Sequence, residues 1–348
     1  GFKALCQKNL PSVTVKKPTE HFNTILYTGN DTDDRTLTGV GFQPDLVWIK
    51  TRDTTNYHML FDSVRGVSRD LHTNNNHAET VASDPNNSLV AFTSDGFTVD
   101  DSAPYSDLNS SSHNYVAWNW KANGTGSSDS SKDITATVSA NATSGFSIVT
   151  YTAPSSDGTQ TVPHGLGVTP KVVIYKKRNV TGNWALLHTV LDGSMDYMKL
   201  NDADSNGNTT YSFTSSTIPC FESSSQTMVA YCFAEVEGFS KFGVYDGNGN
   251  VNSPMINTGF RPAWVMVKRT DTTGYWWGIV DNTRDPTNDG SKVILYPNDA
   301  YADDSDNVMD FLSNGFKIRS TGNFINNSSG SYFYMAFAES PFKYANAR

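Results

Sequence analysis

The stretch TGFRPAWVMVK, residues 258–268, holds a turn, a proline and an apolar run that ends in lysine. The same order stands at TGVGFQPDLVWIK (38–50) and at PHGLGVTPKVVIYK (163–176). Each copy has a glycine, an apolar residue, one variable position, a proline, five residues and a lysine: Gly41, Pro44 and Lys50; Gly167, Pro170 and Lys176; Gly259, Pro262 and Lys268. The glycine permits positive φ, the proline fixes φ where a strand begins, and the runs DLVWI, KVVIY and AWVMV are apolar enough for a central strand. The lysine is expected to mark the point where the strand re-enters water. The pattern reads as a structural signature, in preference to a triple lysine active site.

The flanks repeat as well. Before each copy stands a strand of one flavour: FNTILYTGN from Phe22, FSIVTYTAP from Phe146 and FSKFGVYDGNGN from Phe239. After each lysine a polar turn leads to NYHMLFD, GNWALLH or GYWWGIVD, which places His58, Trp184 and Trp276 at one equivalent position. Each copy closes on an aromatic, alternating run: YVAWNW, MVAYCF or YFYMAF. Such alternation, bounded by Asn, Gly, Asp and Ser, is the half-buried strand pattern. About six strands in roughly 100 residues make a small β-sandwich. The expected fold is therefore all-β: three tandem, jelly-roll-like β-sandwich repeats at 21–122, 145–237 and 238–340, strung in series. Residues 123–144 read as a linker carrying one strand, because NGTGSSDSSKD has flexible-linker composition and ITATVSAN is strand-like. Residues 1–20 read as a linker from an upstream domain, since the chain opens on GFKALC as if another repeat had just finished, and 341–348 read as a tail.

Composition narrows the function. The 348 residues carry a formal charge of -9, and the 26 Lys and Arg are scattered, which leaves no electrostatic footprint for nucleic acid. Only 18% of residues are charged, which favours turns and strands over helices stabilised by Glu and Lys pairs. No stretch approaches the roughly 20 apolar residues that span a bilayer, so no membrane partner is expected. Cys6, Cys220 and Cys232 are too few and too irregular for a disulfide framework or a zinc site, and read as isolated thiols; a Cys220–Cys232 bridge is the one pairing left open.

Catalytic motifs are missing from the sequence. It has no nucleophile elbow, no phosphate-cradling glycine loop with lysine, no zinc-protease helix and no dinucleotide fingerprint. The seven histidines do not fall at ligand spacing, and His58 and His188, in apolar strands, read as packing residues. No enzyme and no cofactor is expected. The one metal-like pattern is DADSNGN, where Asp202, Asp204 and Asn206 take the first, third and fifth positions of a calcium loop, but Phe213 stands where the bidentate glutamate belongs. Acidic clusters around Asp100 and Asp101 and around Asp303, Asp304 and Asp306 read as solvated loops. Arg65 and Arg284 recur shortly after an aspartate in DSVRG and DNTRD, where the second copy has Leu191, and read as local ion pairs.

Aromatic residues point to binding. Adjacent Trp276 and Trp277 fall on opposite faces of a strand, so one of them is expected at the surface, unless a loop of its own repeat covers it. With Tyr275, Trp184 and Tyr57 at neighbouring repeat positions, they form the expected glycan-contacting set, because exposed aromatic faces stack on sugar rings.

The segments ITATVSANATSGFSIVTYT, VPHGLGVTPKVVIYKKR and GNWALLH, with GFQPDLVWIK, LFDSVRG, GFRPAWVMVKR and DNTRDP, resemble a repeated β-module of virion proteins from tailed bacteriophages of aquatic bacteria. The resemblance covers nearly the whole chain. It implies a non-enzymatic tail-fibre or similar appendage protein at the outer surface of a virion, serving structure and host adhesion. Its implied partners are other virion proteins, a host surface glycan and, by analogy with fibres, two further copies of itself in a homotrimer. A secreted carbohydrate-binding or carbohydrate-active protein is the alternative from another class, and a capsid decoration or fibre subunit without a receptor is the third.

Overall fold

The computed structural model describes residues 13–81, 88–100, 107–154, 160–222, 225–289, 292–306 and 308–343. Cys6, Asp101, the opening GFKALC and the last five residues lie outside these. The described chain is almost entirely β-strand, arranged in antiparallel sheets.

One strand order recurs in three large sheets. In the first, the opening strand Phe22–Thr28 pairs with the closing strand Asn114–Trp120, which pairs with the proline-led strand Leu46–Thr51, which pairs with Met59–Asp62. In the second, the same places are taken by Phe146–Thr152, Thr227–Phe233, Val172–Lys177 and Ala185–His188. In the third they are taken by Ser240–Asp246, Ser331–Pro341, Phe260–Arg269 and Gly278–Asp281. A smaller sheet faces each large one: Arg35–Thr38 with Gly96–Val99 and Leu89–Thr93, Thr161–Pro163 with Thr217–Pro219, and Met255–Asn257 with Gly315–Ile318 and Met309–Leu312. Each pair encloses its own apolar core, which makes the all-β sandwich. The signature glycines adopt the conformation their spacing predicts: φ is +86° at Gly41, +73° at Gly167 and +81° at Gly259. No atom lies within 4 Å of a Cβ built on Gly167 or Gly259, so the demand there is conformational.

The sandwiches are not strung in series. Each proline-led strand sends alternate side chains to opposite faces. Val47 and Ile49, Val173 and Tyr175, and Val265 and Val267 fill the three separate sandwich cores. Leu46 and Trp48, Val172 and Ile174, and Trp264 and Met266 enter one further core that all three sheets share. Both faces of these strands are buried, which is why they read as unbroken apolar runs. Where the closing strands end, Trp120 and Phe337 meet at 5.6 Å between ring centroids and Phe233 and Phe337 at 5.8 Å. The arrangement is thus a closed group of three sheets around a common aromatic centre. A linear array would leave Trp48, Ile174 and Met266 in water.

Residues 123–144 also belong to the fold. Ala136–Asn141 pairs along the opening strand of the second sheet, and Ser127–Asp129 pairs outside it, so the sheet takes in the strand-like half of the expected linker and also part of the half read as flexible.

Candidate functional site at the sheet boundaries and their rim

The lysines that close the proline-led strands correct the sequence reading. Lys50, Lys176 and Lys268 are fully buried, because each strand end lies under a loop of a neighbouring sandwich. Their alternation places them on the same face as Trp48, Ile174 and Met266, toward the shared core. Each ammonium donates to the next residue's carbonyl, at 2.7 Å to Thr51, 2.9 Å to Lys177 and 2.7 Å to Arg269. Burial pulls all three down to about 8 from the usual 10.5. Asp303 partly offsets burial at Lys50, and Asp204 and Asp202 do so at Lys268.

Beyond each lysine the chain meets the neighbouring sandwich through one backbone pattern. The amides of Asp303, Glu79 and Asn206 donate to the carbonyls of Arg52, Arg178 and Thr270 at 2.7, 2.7 and 2.9 Å. The amides of Asn56, Gly182 and Gly274 return to the carbonyls of Ala300, Asn76 and Ala203 at 3.0, 2.8 and 2.9 Å. These three pairs of bonds tie the first sheet to the third, the second to the first and the third to the second.

Side chains at these boundaries follow two chemistries. Between the second and first sheets, buried Arg65 binds Asp62 and reaches Glu79 at 3.0 Å, while Arg178 holds both oxygens of Glu79 at 2.9 Å. The Tyr231 hydroxyl of the second sheet donates to Asp62 at 2.7 Å. Between the first and third sheets, Arg284 binds Asp281 and Asp303, each at 2.6 Å. Arg52 meets Asp303 at 2.8 Å, and the Trp118 indole of the first sheet donates to Asp281 at 3.0 Å. The local pairs expected of Arg65 and Arg284 are therefore present, each within its own sandwich, and the carboxylates they hold are the ones that Arg178, Tyr231, Arg52 and Trp118 reach from the neighbouring sandwich. At the remaining boundary the equivalent positions hold His188, Leu191, Asn206 and Thr270, and the donor's place is taken by Met335, which has no polar hydrogen. Burial opposes ionisation of Glu79, yet Arg178 and Arg65 outweigh it and bring the carboxyl down to about 2. Burial takes His188 down to about 4, so its ring is uncharged at physiological pH.

The position before Met59–Asp62, Ala185–His188 and Gly278–Asp281 is shared by His58, Trp184 and Trp277, one residue beyond the sequence expectation of Trp276, because the turn after Lys268 is one residue longer. All three backbone amides donate to an asparagine side chain: Asn74, Asn201 and Asn298. All three rings are buried. The Trp184 indole donates to the His72 carbonyl at 2.7 Å and the Trp277 indole to the Lys199 carbonyl at 3.0 Å, each across a boundary. Burial, with Lys50 and Arg284 nearby, holds His58 well below the usual histidine value, against the pull of the Tyr296 carbonyl.

Trp184 and Trp277 are thus packing residues. Trp276 remains 40% exposed, with Tyr296 at 5.1 Å and Tyr301 at 5.5 Å between ring centroids. Tyr301 is exposed too. The Asn56 to Ala300 bond brings exposed Tyr57 beside the Tyr301 loop, and Tyr57 stacks on His72 at 4.4 Å. Tyr275 lies half-buried under the Arg269 guanidinium at 4.7 Å. An aromatic strip therefore runs along the rim where the first and third sandwiches meet. Sequence reasoning missed Tyr301 and Tyr296, although the NDA at 298–300, which repeats the NDA at 201–203, marks their loop as an equivalent part of the repeat.

Of the calcium-like residues, Asp202 and Asp204 share the Lys199 ammonium, with Asp202 at 3.9 Å, and Asn206 turns away from them. Asp204 pairs with Lys199 at 2.5 Å, and Asn206 bonds His188 and Asp196. Asn206 holds the place of Glu79 and Asp303, which gives the DADSNGN stretch a structural reason. Among the described residues no group of three or more His, Cys, Asp or Glu side chains is placed to hold a metal ion. Cys220 and Cys232 are buried, unbridged thiols.

No curated protein and no solved structure matches the chain. Residues 17–341, which take in all three large sheets as one unit, match the family described as Domain of unknown function (DUF7483), and the chain belongs to that family.

Proposed function

We propose that the chain is a non-enzymatic virion appendage protein whose rim attaches to glycan on a host surface. The observation that carries this reading is the aromatic strip of Trp276, Tyr301 and Tyr57, which offers ring faces to solvent at a boundary made rigid by the Arg284, Asp303 and Arg52 bridge. Sugar rings stack on such faces, and a rigid platform lowers the entropy lost on binding. The strongly shifted groups Lys50, Lys176, Lys268 and Glu79 lie at the boundaries between sandwiches, where each has a structural partner, which supports a structural role over acid–base chemistry. Location at the particle's outer surface, contact with other virion proteins and assembly of three copies belong to the same reading.

The test is attachment of the purified chain to host cells or an isolated host polysaccharide. Trp276→Ala and Tyr301→Ala are each expected to weaken attachment about tenfold, a loss of about 1.4 kcal/mol, with the melting temperature preserved. Attachment unchanged in both variants would reject the strip as the contact.

A further inference from the structure

The three opening strands differ in what lies along their outer edge. In the second sheet the edge of Phe146–Thr152 is covered by Ala136–Asn141, paired antiparallel over its whole length. That added strand turns Ala136 and Val138 into the sandwich core, and Ile134 joins them from just before it. In the first sheet no described strand pairs with the outer side of Phe22–Thr28 either, but side chains close its two ends, where Asn23 donates to the Val40 carbonyl at 3.0 Å and Arg35 to the Thr28 carbonyl at 2.5 Å. In the third sheet, no described strand pairs with the outer side of Ser240–Asp246. The Phe242 amide turns outward, where only the Glu235 carboxylate meets it at 2.9 Å. Antiparallel alternation puts the backbone groups of Val244 and Asp246 on that same side. A cavity of about 580 Å³ lies at the start of this strand, lined in part by Val13, Lys241 and Phe342. A second, of about 400 Å³, lies at its end, between Val244 and Asp246 on one wall and Met255 and Ile256 on the other. Met255 is exposed, and Tyr245 and Ile256 only half-buried, where the second sandwich has Ala136 and Val138 as cover.

We propose that the open edge of Ser240–Asp246 accepts an extended strand from a partner polypeptide, in the place that residues 136–141 fill beside the second sheet. The molecule's own covered edge states the chemistry of the occupant: an antiparallel strand with small apolar residues at every second position, alternating with Thr or Ser as in ATVSAN. Main-chain bonds to Val244 and Asp246 would supply affinity, and the gap beside Met255 and Ile256 would select small side chains. The occupant comes from another chain because the segment of this kind seen here is already paired in the second sheet.

The probe is a synthetic peptide DITATVSANA, copied from residues 133–142, added to the full chain. Saturable binding in the micromolar range is expected, with amide exchange at Val244 and Asp246 slowed about tenfold. Val244→Pro removes an outward amide and no inward ladder bond, so binding should vanish while the fold persists. Met255→Lys leaves the backbone untouched and should weaken binding about tenfold through the lost apolar wall. No saturation up to about 1 mM peptide, or equal binding by both variants, would overturn the proposal. So would slow exchange of these amides before any peptide is added: independent of dilution, it would mean the chain covers its own edge, and dependent on dilution, that a second copy does.

Discussion

Two boundaries between sandwiches are ionic and one is neutral, yet all three keep the same backbone bonds. The amides of Asp303, Glu79 and Asn206 donate to carbonyls of the neighbouring sandwich over 2.7 to 2.9 Å, whether the side chains around them are Arg65, Glu79 and Arg178 or His188, Leu191 and Thr270. The difference teaches that the main-chain pattern and the shared aromatic core hold the sheets in place, while the charge networks are local solutions to burying polar strand ends. The networks also change as sets. Where the Asp and Arg pair is present, the neighbouring sheet supplies Tyr231 or Trp118 as donor, and where it is gone the same position is Met335.

The comparison can be broken most severely at the ionic boundary between the first and third sheets. Asp281→Ala leaves the buried Arg284 guanidinium short of a partner and orphans the Trp118 indole, and should cost about 3–5 kcal/mol in urea unfolding. His188→Ala at the neutral boundary removes an uncharged ring and should cost roughly half that or less. Equal losses would mean that the two boundaries do not differ in the way their chemistry implies.

Acid should separate the boundaries next. The Glu79 carboxyl sits at about 2 in the folded chain against an ordinary value of 4.5. Its folded value is depressed, so its stabilisation is complete above pH 4.5 and is lost as pH falls from 4.5 toward 2. Glu79→Gln should therefore lower stability at neutral pH and flatten the acid limb of the stability curve. A limb of unchanged slope in the variant would remove Glu79 from the account.

The smallest effect should come from exchanging whole sets. Asp62→His, Arg65→Leu, Glu79→Asn, Arg178→Thr and Tyr231→Met together rebuild the first boundary in the image of the neutral one. Replacing a buried ion network by a packed neutral set is often neutral or stabilising, so the five-fold variant should unfold within about 1 kcal/mol of the parent, although Arg65→Leu alone is costly. A loss as large as that of the single variant would show that the networks, and not the backbone pattern, hold the sheets together.

The strands were the legible part of this fold. Periodicity and the recurring Gly, Pro and Lys located the proline-led strand three times, and the closing runs YVAWNW, MVAYCF and YFYMAF fall within strands. The shared core was less legible, because an unbroken run such as DLVWI states that both faces are buried and not what buries them. The buried lysines were misread for the same reason: the loop that covers Lys50 comes from residues near Asp303, far away in sequence. Their phase was the available signal, since Lys50 is in register with Leu46 and Trp48 and not with Val47 and Ile49. Of the rim, Trp276 and Tyr57 were visible as aromatics beside a turn. Tyr301 was not, because only the fold brings its loop to Trp276.

The central claim is that three sandwiches around one core form a single cooperative unit. Native-state amide exchange across a urea titration, followed in Leu46–Thr51, Val172–Lys177 and Phe260–Arg269 together, tests it directly. The account predicts that all three strands lose protection at one midpoint. Three separate midpoints, one per sandwich, would show that each stands alone and that the common aromatic centre contributes little.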